Sequence, residues 1–331
     1  MVSLRTNVQT MTNALAAIIV GALMTYGTME AQTVNWISAE PPSPRDGVGM
    51  AYDTASSSTV LFSGSNSVAD TWVWKGGWFQ LSPATSPSPR NSAAMAYDGA
   101  AGNIVLFGGL SSTGVILGDT WTWNGTTWTQ QFPAVSPPAR TLMAFAYDGA
   151  TKTVVLFGGG SEPGGAGALG DTWTWDGVAT TWTQQSPATS PPARSGCAAA
   201  YDATNNGLVL FGGQNGSTAY GDTWIWNGAT WTQQSPASAP SARSQAGMAY
   251  DAVLSAVVLF GGAVGALWED SANDTWVWNG TSWRQIHPAT VPPNRYNFGM
   301  AYEPAFKAVL MFGGFSSGPA RNDTWLLALA P

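Results

Sequence analysis

The chain has 331 residues and a net charge of −7, with 9% charged residues, 39 glycines and 21 prolines. No cluster of Lys or Arg is present to neutralise phosphates, which argues against nucleic acid as a partner and disfavours adsorption to anionic lipid. Cys197 is the only cysteine, so an intrachain disulfide is excluded and an exported form has to rely on packing.

Residues 1–31 read as a leader. Arg5 is followed by an apolar run of eleven residues, 14–24, and then by small and polar residues. That length is short for a bilayer span and suits the core of a signal peptide, with cleavage near Gly27 or Ala31. The alternative is a retained leader that serves as an anchor or assembly helix. Residues 32–331 hold no second apolar run long enough to cross a membrane.

The rest of the chain is periodic. The triplet Asp-Thr-Trp recurs at Asp70, Asp119, Asp171, Asp222, Asp274 and Asp323. A Leu-Phe-Gly-Gly-like element precedes each triplet, an Ala-Tyr-acid element precedes that, and an arginine stands before both: Arg45, Arg90, Arg140, Arg194, Arg243 and Arg295. One unit of about fifty residues is therefore used six times.

Each unit reads as four short strands, A to D. Strand A is small and apolar, and strand B is a continuous apolar run. Strands C and D alternate, as in DTWTW and TTWTQQ, and in the first five units an Asn-Gly, Asp-Gly or Gly-Gly step joins them as a hairpin. Such sheets bury both faces only by stacking around an axis. The expectation is an all-β chain, a six-bladed β-propeller of four-stranded antiparallel blades over residues 32–331. The last unit lacks a strand D, whereas residues 34–45, VNWISAEPPSPR, resemble a strand D and its link. An N-terminal strand carrying Trp36 is thus expected to complete the last blade beside Trp325.

The arginine before strand A, the Gly-Gly after strand B and the tryptophans of strands C and D (Arg140, Gly158, Gly159, Trp173 and Trp182 in the third unit) resemble the kelch-repeat family. Ser63 in place of a glycine in the first unit and Glu303-Pro304 in the last depart from the pattern. The resemblance implies a propeller and often a binding role, and it fixes no ligand.

Of the eighteen tryptophans, fifteen are three per unit in the first five units, Trp325 and Trp36 serve the sixth, and Trp268 is left over. Tryptophan density is therefore read as packing between blades. The repeat arginines and the triplet aspartates fall at the same end of their strands, the face of the D–A links and B–C loops. They are expected to form a structural ring of paired charges, with an anion site at a channel mouth as the alternative.

The B–C loops vary most in length, so their face is the expected working surface. The candidate ligand-binding residues are Trp268, Glu269 and Asp270 in the fifth unit, Glu162 in the third and Arg321 in the sixth. No catalytic, cofactor or metal site is expected. His287 is the only histidine, which rules out centres built on several imidazoles, including the copper-radical oxidases that use a kelch-like propeller. No nucleophile elbow or zinc spacing is present. Calcium at Glu269, Asp270 and Asp274 has weak support. The expectation is an exported binding or scaffold module at a bacterial-type cell surface or periplasm, acting on a protein partner or in self-assembly. Carbohydrate binding through Trp268 and a carboxylate-dependent glycan-active enzyme are the alternatives.

Overall fold

The computed structural model describes residues 41–65, 68–265 and 270–328. Trp36, Trp268 and Glu269 lie outside the described residues. Among the described residues there is no α-helix, only a short 3-10 turn at Pro163–Gly165.

Among the described residues six main antiparallel sheets follow one another along the chain, one per unit, with two small additional sheets in the fourth and fifth units. The third is representative, with strands Ala144–Asp148, Thr153–Phe157, Thr172–Asp176 and Thr181–Gln185 paired in sequence order. Sheets one to five have all four strands. The sixth has three among the described residues: Gly299–Glu303, Ala308–Phe312 and Thr324–Ala328. The second sheet departs from the short-strand pattern, because Asn103–Ser111 and Ile116–Trp123 run on past the glycine pair through a bulge at Phe107/Gly109.

The first strands lie side by side. Gly49–Asp53 packs against Ala94–Asp98 of the next sheet and, on its other side, against Gly299–Glu303 of the sixth. Alternation along the second strand explains its unbroken apolar run. In Ser58–Phe62, Val60 and Phe62 enter a core with Ile104, Leu106, Trp123 and Trp128 of the second sheet. Leu61 points the other way, into a core with Leu310 and Phe312 of the sixth sheet. Successive side chains of a strand face opposite sides, so a strand buried on both faces has to be apolar throughout.

The acid after each strand A tyrosine shapes the A–B turn. Asp148 Oδ1 accepts the backbone N–H of Ala150 at 2.9 Å, and Asp53, Asp98, Asp202 and Asp251 do the same two residues on. Glu303, with Pro304 next to it, takes the backbone N–H of Ala305 and also accepts the Thr59 hydroxyl of the first sheet at 2.7 Å. Burial raises its pKa, and the hydrogen bond from Thr59 offsets part of that rise.

Candidate functional site

The site rests on a frame in which each letter of the Asp-Thr-Trp triplet has its own partner. In the fourth unit, Asp222 takes the Arg194 guanidinium on both oxygens at 2.5 and 3.0 Å, and the Trp224 indole N–H at 2.7 Å. The Thr223 hydroxyl accepts the indole N–H of Trp283, a fourth-strand residue of the next sheet, at 2.9 Å. The ring of Trp283 meets Phe211 at 5.5 Å between centroids. The same contacts recur around the molecule, and from Trp78 they reach Thr324 and Phe312 of the sixth sheet. The tryptophan density thus serves packing and hydrogen bonding between sheets.

All six repeat arginines are 0–2% exposed and each pairs with its triplet aspartate. The arginine Nη1 also donates to the carbonyl of the residue after strand B, such as Gly212 at 3.1 Å, and Nε to the carbonyl two residues earlier, Pro192 at 3.0 Å. In Arg45, Arg90 and Arg243 a serine hydroxyl two residues earlier accepts a further Nη2 bond. These guanidiniums are committed within the frame, which corrects the alternative of an open arginine anion site. Burial by itself raises the carboxyls of Asp119, Asp171, Asp222, Asp274 and Asp323, yet the arginine hydrogen bonds and charge, with the indole donor, hold them below the ordinary value.

The glycine pair admits the next unit. The N–H of Gly213 donates to the Arg243 carbonyl at 2.9 Å, and a Cβ on Gly212 (φ +69°) would lie 2.4 Å from that same oxygen. A glycine meets both the approach and the left-handed backbone without strain, and in the first unit Ser63 takes the same place at φ +53°.

Two residues beyond each arginine the chain forms a collar. Gly47, Ser92, Leu142, Gly196, Gln245 and Asn297 all have left-handed φ, between 52° and 67°. The N–H of Ser92 donates to the Gly47 carbonyl, Leu142 to Ser92, Gly196 to Leu142, Gln245 to Gly196, Asn297 to Gln245 and Gly47 to Asn297, at 2.7–3.2 Å. The six bonds return to their start.

Inside and above this collar lies a mouth of about 310 Å³. Its polar lining is Asp46, Asn91, Ser92, Thr141, Gln245 and Asn297, with Tyr296 and Phe315 as the aromatic side. Asn297 Nδ2 donates to Asp46 Oδ2 at 2.9 Å, and the Tyr296 and Phe315 rings meet edge-on at 5.6 Å. Burial raises the Tyr296 phenol, and the charge of Asp46 adds to the rise. Beneath the mouth, smaller cavities are lined by Met95, Met143, Cys197, Met248 and Phe298. The site is a mouth of mixed polar and apolar lining above smaller cavities, held on a hydrogen-bonded backbone ring. Burial pushes the Cys197 thiol up to about 12, which leaves it protonated and unreactive.

The sequence-derived candidates are not the residues that line this mouth. Glu162 is exposed in the third unit's loop just before Pro163–Gly165. Asp270 is exposed at the start of Asp270–Ser271, a strand that pairs with Ala263–Val264. Arg321 is partly buried and donates through Nη2 to the Ser316 hydroxyl at 3.0 Å. Asp274 is held by Arg243 and Trp276, which removes it from the calcium set. Among the described residues no group of three or more His, Cys, Asp or Glu is placed to hold a metal ion, and His287 is exposed on its link.

Most of the mouth residues sit one and two positions after a repeat arginine, and Leu110, Gly164 and Phe315 follow the glycine pairs of the second, third and sixth units. The available signal was variation in identity beside an invariant residue: Asp46-Gly47, Asn91-Ser92, Thr141-Leu142, Ser195-Gly196, Ser244-Gln245 and Tyr296-Asn297.

Sheet order, register and frame together define a kelch-type β-propeller architecture. The family model for the KLHDC2/KLHL20/DRC7 Kelch-repeats domain matches residues 69–233 and 151–330, and the chain belongs to the Kelch-repeat family. A solved structure of YjhT is similar at a TM-score of 0.67 and 15% identity, over 88% of this chain and 96% of that one, a likeness of fold alone. No curated protein matches the sequence.

Proposed function

We propose that this protein is an exported, non-catalytic binding propeller that engages a protein partner through the face of its B–C loops and D–A links. In this reading the six sheets are the blades of a closed propeller, and an N-terminal strand within residues 34–45 completes the sixth. Kelch propellers commonly serve as interaction scaffolds. The carrying observation is the mouth: one hydrogen-bonded collar beside which five of the six repeats contribute side chains of different identity. A repeated frame with varied tips is how a scaffold acquires specificity. Neutral amides and hydroxyls with one carboxylate, on a chain of net charge −7, suit a neutral or cationic loop of the partner.

The test compares capture of exported proteins by the wild-type chain, by Gln245→Leu and by Thr151→Val on the opposite face. Capture lost only in Gln245→Leu supports the reading, and capture that is equal in all three overturns it. Closure is read separately by amide exchange, in which Gly47 and Asn297 exchange as slowly as Gly196. Export is read by the N-terminal sequence of the mature protein.

A glycan at the same mouth is the second reading, favoured by the Tyr296–Phe315 pair beside the amides. Retention on a polysaccharide panel that is lost in Tyr296→Ala, without protein capture, would select it. A glycan-cleaving enzyme has less support: that chemistry takes two carboxylates roughly 5–10 Å apart, and the mouth lining holds one, Asp46.

A further inference from the structure

The mouth is not equally open on all sides. The third unit's turn Pro163–Gly165 folds over the next repeat, where the Ser195 hydroxyl donates to the Gly165 carbonyl at 2.8 Å. The fourth unit's Gln214 covers the fifth in the same way, its Oε1 accepting the Ser244 hydroxyl at 3.0 Å. Ser195 and Ser244 are thereby buried under neighbouring loops and do not line the mouth. The residues directly after the arginine that do line it are Tyr296, Asp46, Asn91 and Thr141. They come from the sixth, first, second and third units, which follow one another around the collar. Asp46 therefore stands between Tyr296 and Asn91 on one open wall.

Asp46 is the carboxylate of that wall, and no cation within the described residues answers it. Its Oδ2 accepts the Asn297 amide at 2.9 Å, and among the described residues no group donates to Oδ1. Arg45, next in sequence, directs its guanidinium to Asp70, Ser43 and the Ser63 carbonyl. Charge outside the frame is also sorted by face. Six arginines and six triplet aspartates cancel, so the remaining six cations and thirteen acids carry the whole net charge (6 − 13 = −7). Lys75 stands in a C–D turn, and Lys152 and Lys307 stand in A–B turns, on the face opposite the mouth. A Cβ on Gly76 of a C–D turn would touch Phe306 of an A–B turn, which confirms that these turns share a face. Arg284 is exposed on the outer strand Trp283–Ile286. On the mouth side, Arg321 donates to Ser316 and its charge acts on Asp323, while Glu162 and Asp270 are exposed. The aromatic side of the mouth suits a cation too. Within this chain the Arg194 guanidinium carbon already lies 3.8 Å over the Tyr220 ring.

We infer that the mouth recognises one basic side chain, lysine or arginine, at the tip of a partner's loop. The cation sits between Asp46 Oδ1 and the Asn91 amide oxygen, and its methylene stem lies along the Tyr296 and Phe315 rings. The inference rests on the binding reading above and adds the chemistry of the group that is bound. The acidic mouth face draws such a loop in, and the lysines of the opposite face repel it, so the partner is oriented before contact.

The test titrates the full chain with n-butylammonium, n-butylguanidinium, butyramide and butyrate, and follows the side-chain amide signals of Asn91, Gln245 and Asn297 by NMR. The expected result is saturable shifts with the two cations, weakening as salt rises, and none with butyrate. Asp46→Asn is expected to lower cation affinity about ten-fold and to remove the salt dependence. Butyrate or butyramide binding as well as the cations, or Asp46→Asn binding them like the wild type, overturns the inference. If Asp46→Asn misfolds, Asn91→Leu serves in its place, with a several-fold loss of cation affinity expected and an unchanged affinity overturning the assignment. Capture of exported proteins separates this inference from the reading beneath it. Capture that is competed by excess n-butylguanidinium and lost in Asp46→Asn supports the basic side chain. Capture that is lost in Gln245→Leu but kept in Asp46→Asn, without competition, overturns the cation and leaves the binding mouth standing. Cation binding that leaves capture untouched assigns the site to a free amine and overturns the partner's side chain.

Discussion

Two layers of the repeat lie one residue apart and obey opposite rules. At the arginine, six units present the same buried residue to the same aspartate, which is partly exposed in every unit but the first. One and two residues on, the six units present side chains as different as Asp46, Thr141, Gln245 and Tyr296, while their backbones keep one conformation. The frame is uniform because a buried guanidinium is tolerable only when its charge and donors are matched. The rim is free to vary because its geometry is held by backbone bonds, which are indifferent to the side chain.

The most severe way to break this contrast is to unbalance the frame. Arg194→Met leaves Asp222 beside buried surface without its cation, and a loss of roughly 3–5 kcal/mol is expected in urea unfolding. A loss below 1 kcal/mol would mean that the frame is not what holds the sheets. Trp231→Phe keeps a ring against Phe157 and removes the donor to Thr172, at a cost of about 1–3 kcal/mol in the same assay.

Acid probes the frame without mutation. The five depressed carboxyls contribute stability that is fully present above their ordinary value of 3.8 and lost as pH falls through their lower folded values. The melting midpoint should therefore hold steady from neutral pH to about pH 5 and fall below about pH 4. A fall centred near neutrality would point to other groups.

The rim should give the smallest stability effects and the largest functional ones. Gly196→Asn places a side chain where Asn297 already carries one at nearly the same φ, 58° against 67°. Its Cβ meets Gln245 Cγ at 3.1 Å and Ser244 Cβ at 3.2 Å, contacts that need a shift of a few tenths of an ångström. The expected stability change is under about 1 kcal/mol, because Asn tolerates the left-handed region, while partner capture falls as the cavity beneath the mouth narrows. A large loss of stability would show that the collar, like the frame, depends on its side chains.

The frame was readable from sequence at the level of single residues. Arg140, Asp171, Trp173 and Trp182 recur with fixed neighbours, and a contact made six times leaves a pattern that needs no coordinates. The mouth was not readable in that way. Asp46 and Tyr296 are 250 residues apart and have no repeated partner, and the length of the B–C loops drew attention to Glu162, Asp270 and Arg321 instead. The Ser63 exception also became intelligible only in space: its hydroxyl accepts the Arg90 N–H at 3.0 Å.

By itself the sequence determined the repeat, the four-strand unit, the paired charges and the packing duty of the tryptophans, because each is a local rule copied along the chain. Only the tertiary structure decided which residues meet at the axis. Six short segments about fifty residues apart become neighbours there through backbone hydrogen bonds, an interaction that is blind to side-chain identity and so leaves no mark in the order of amino acids.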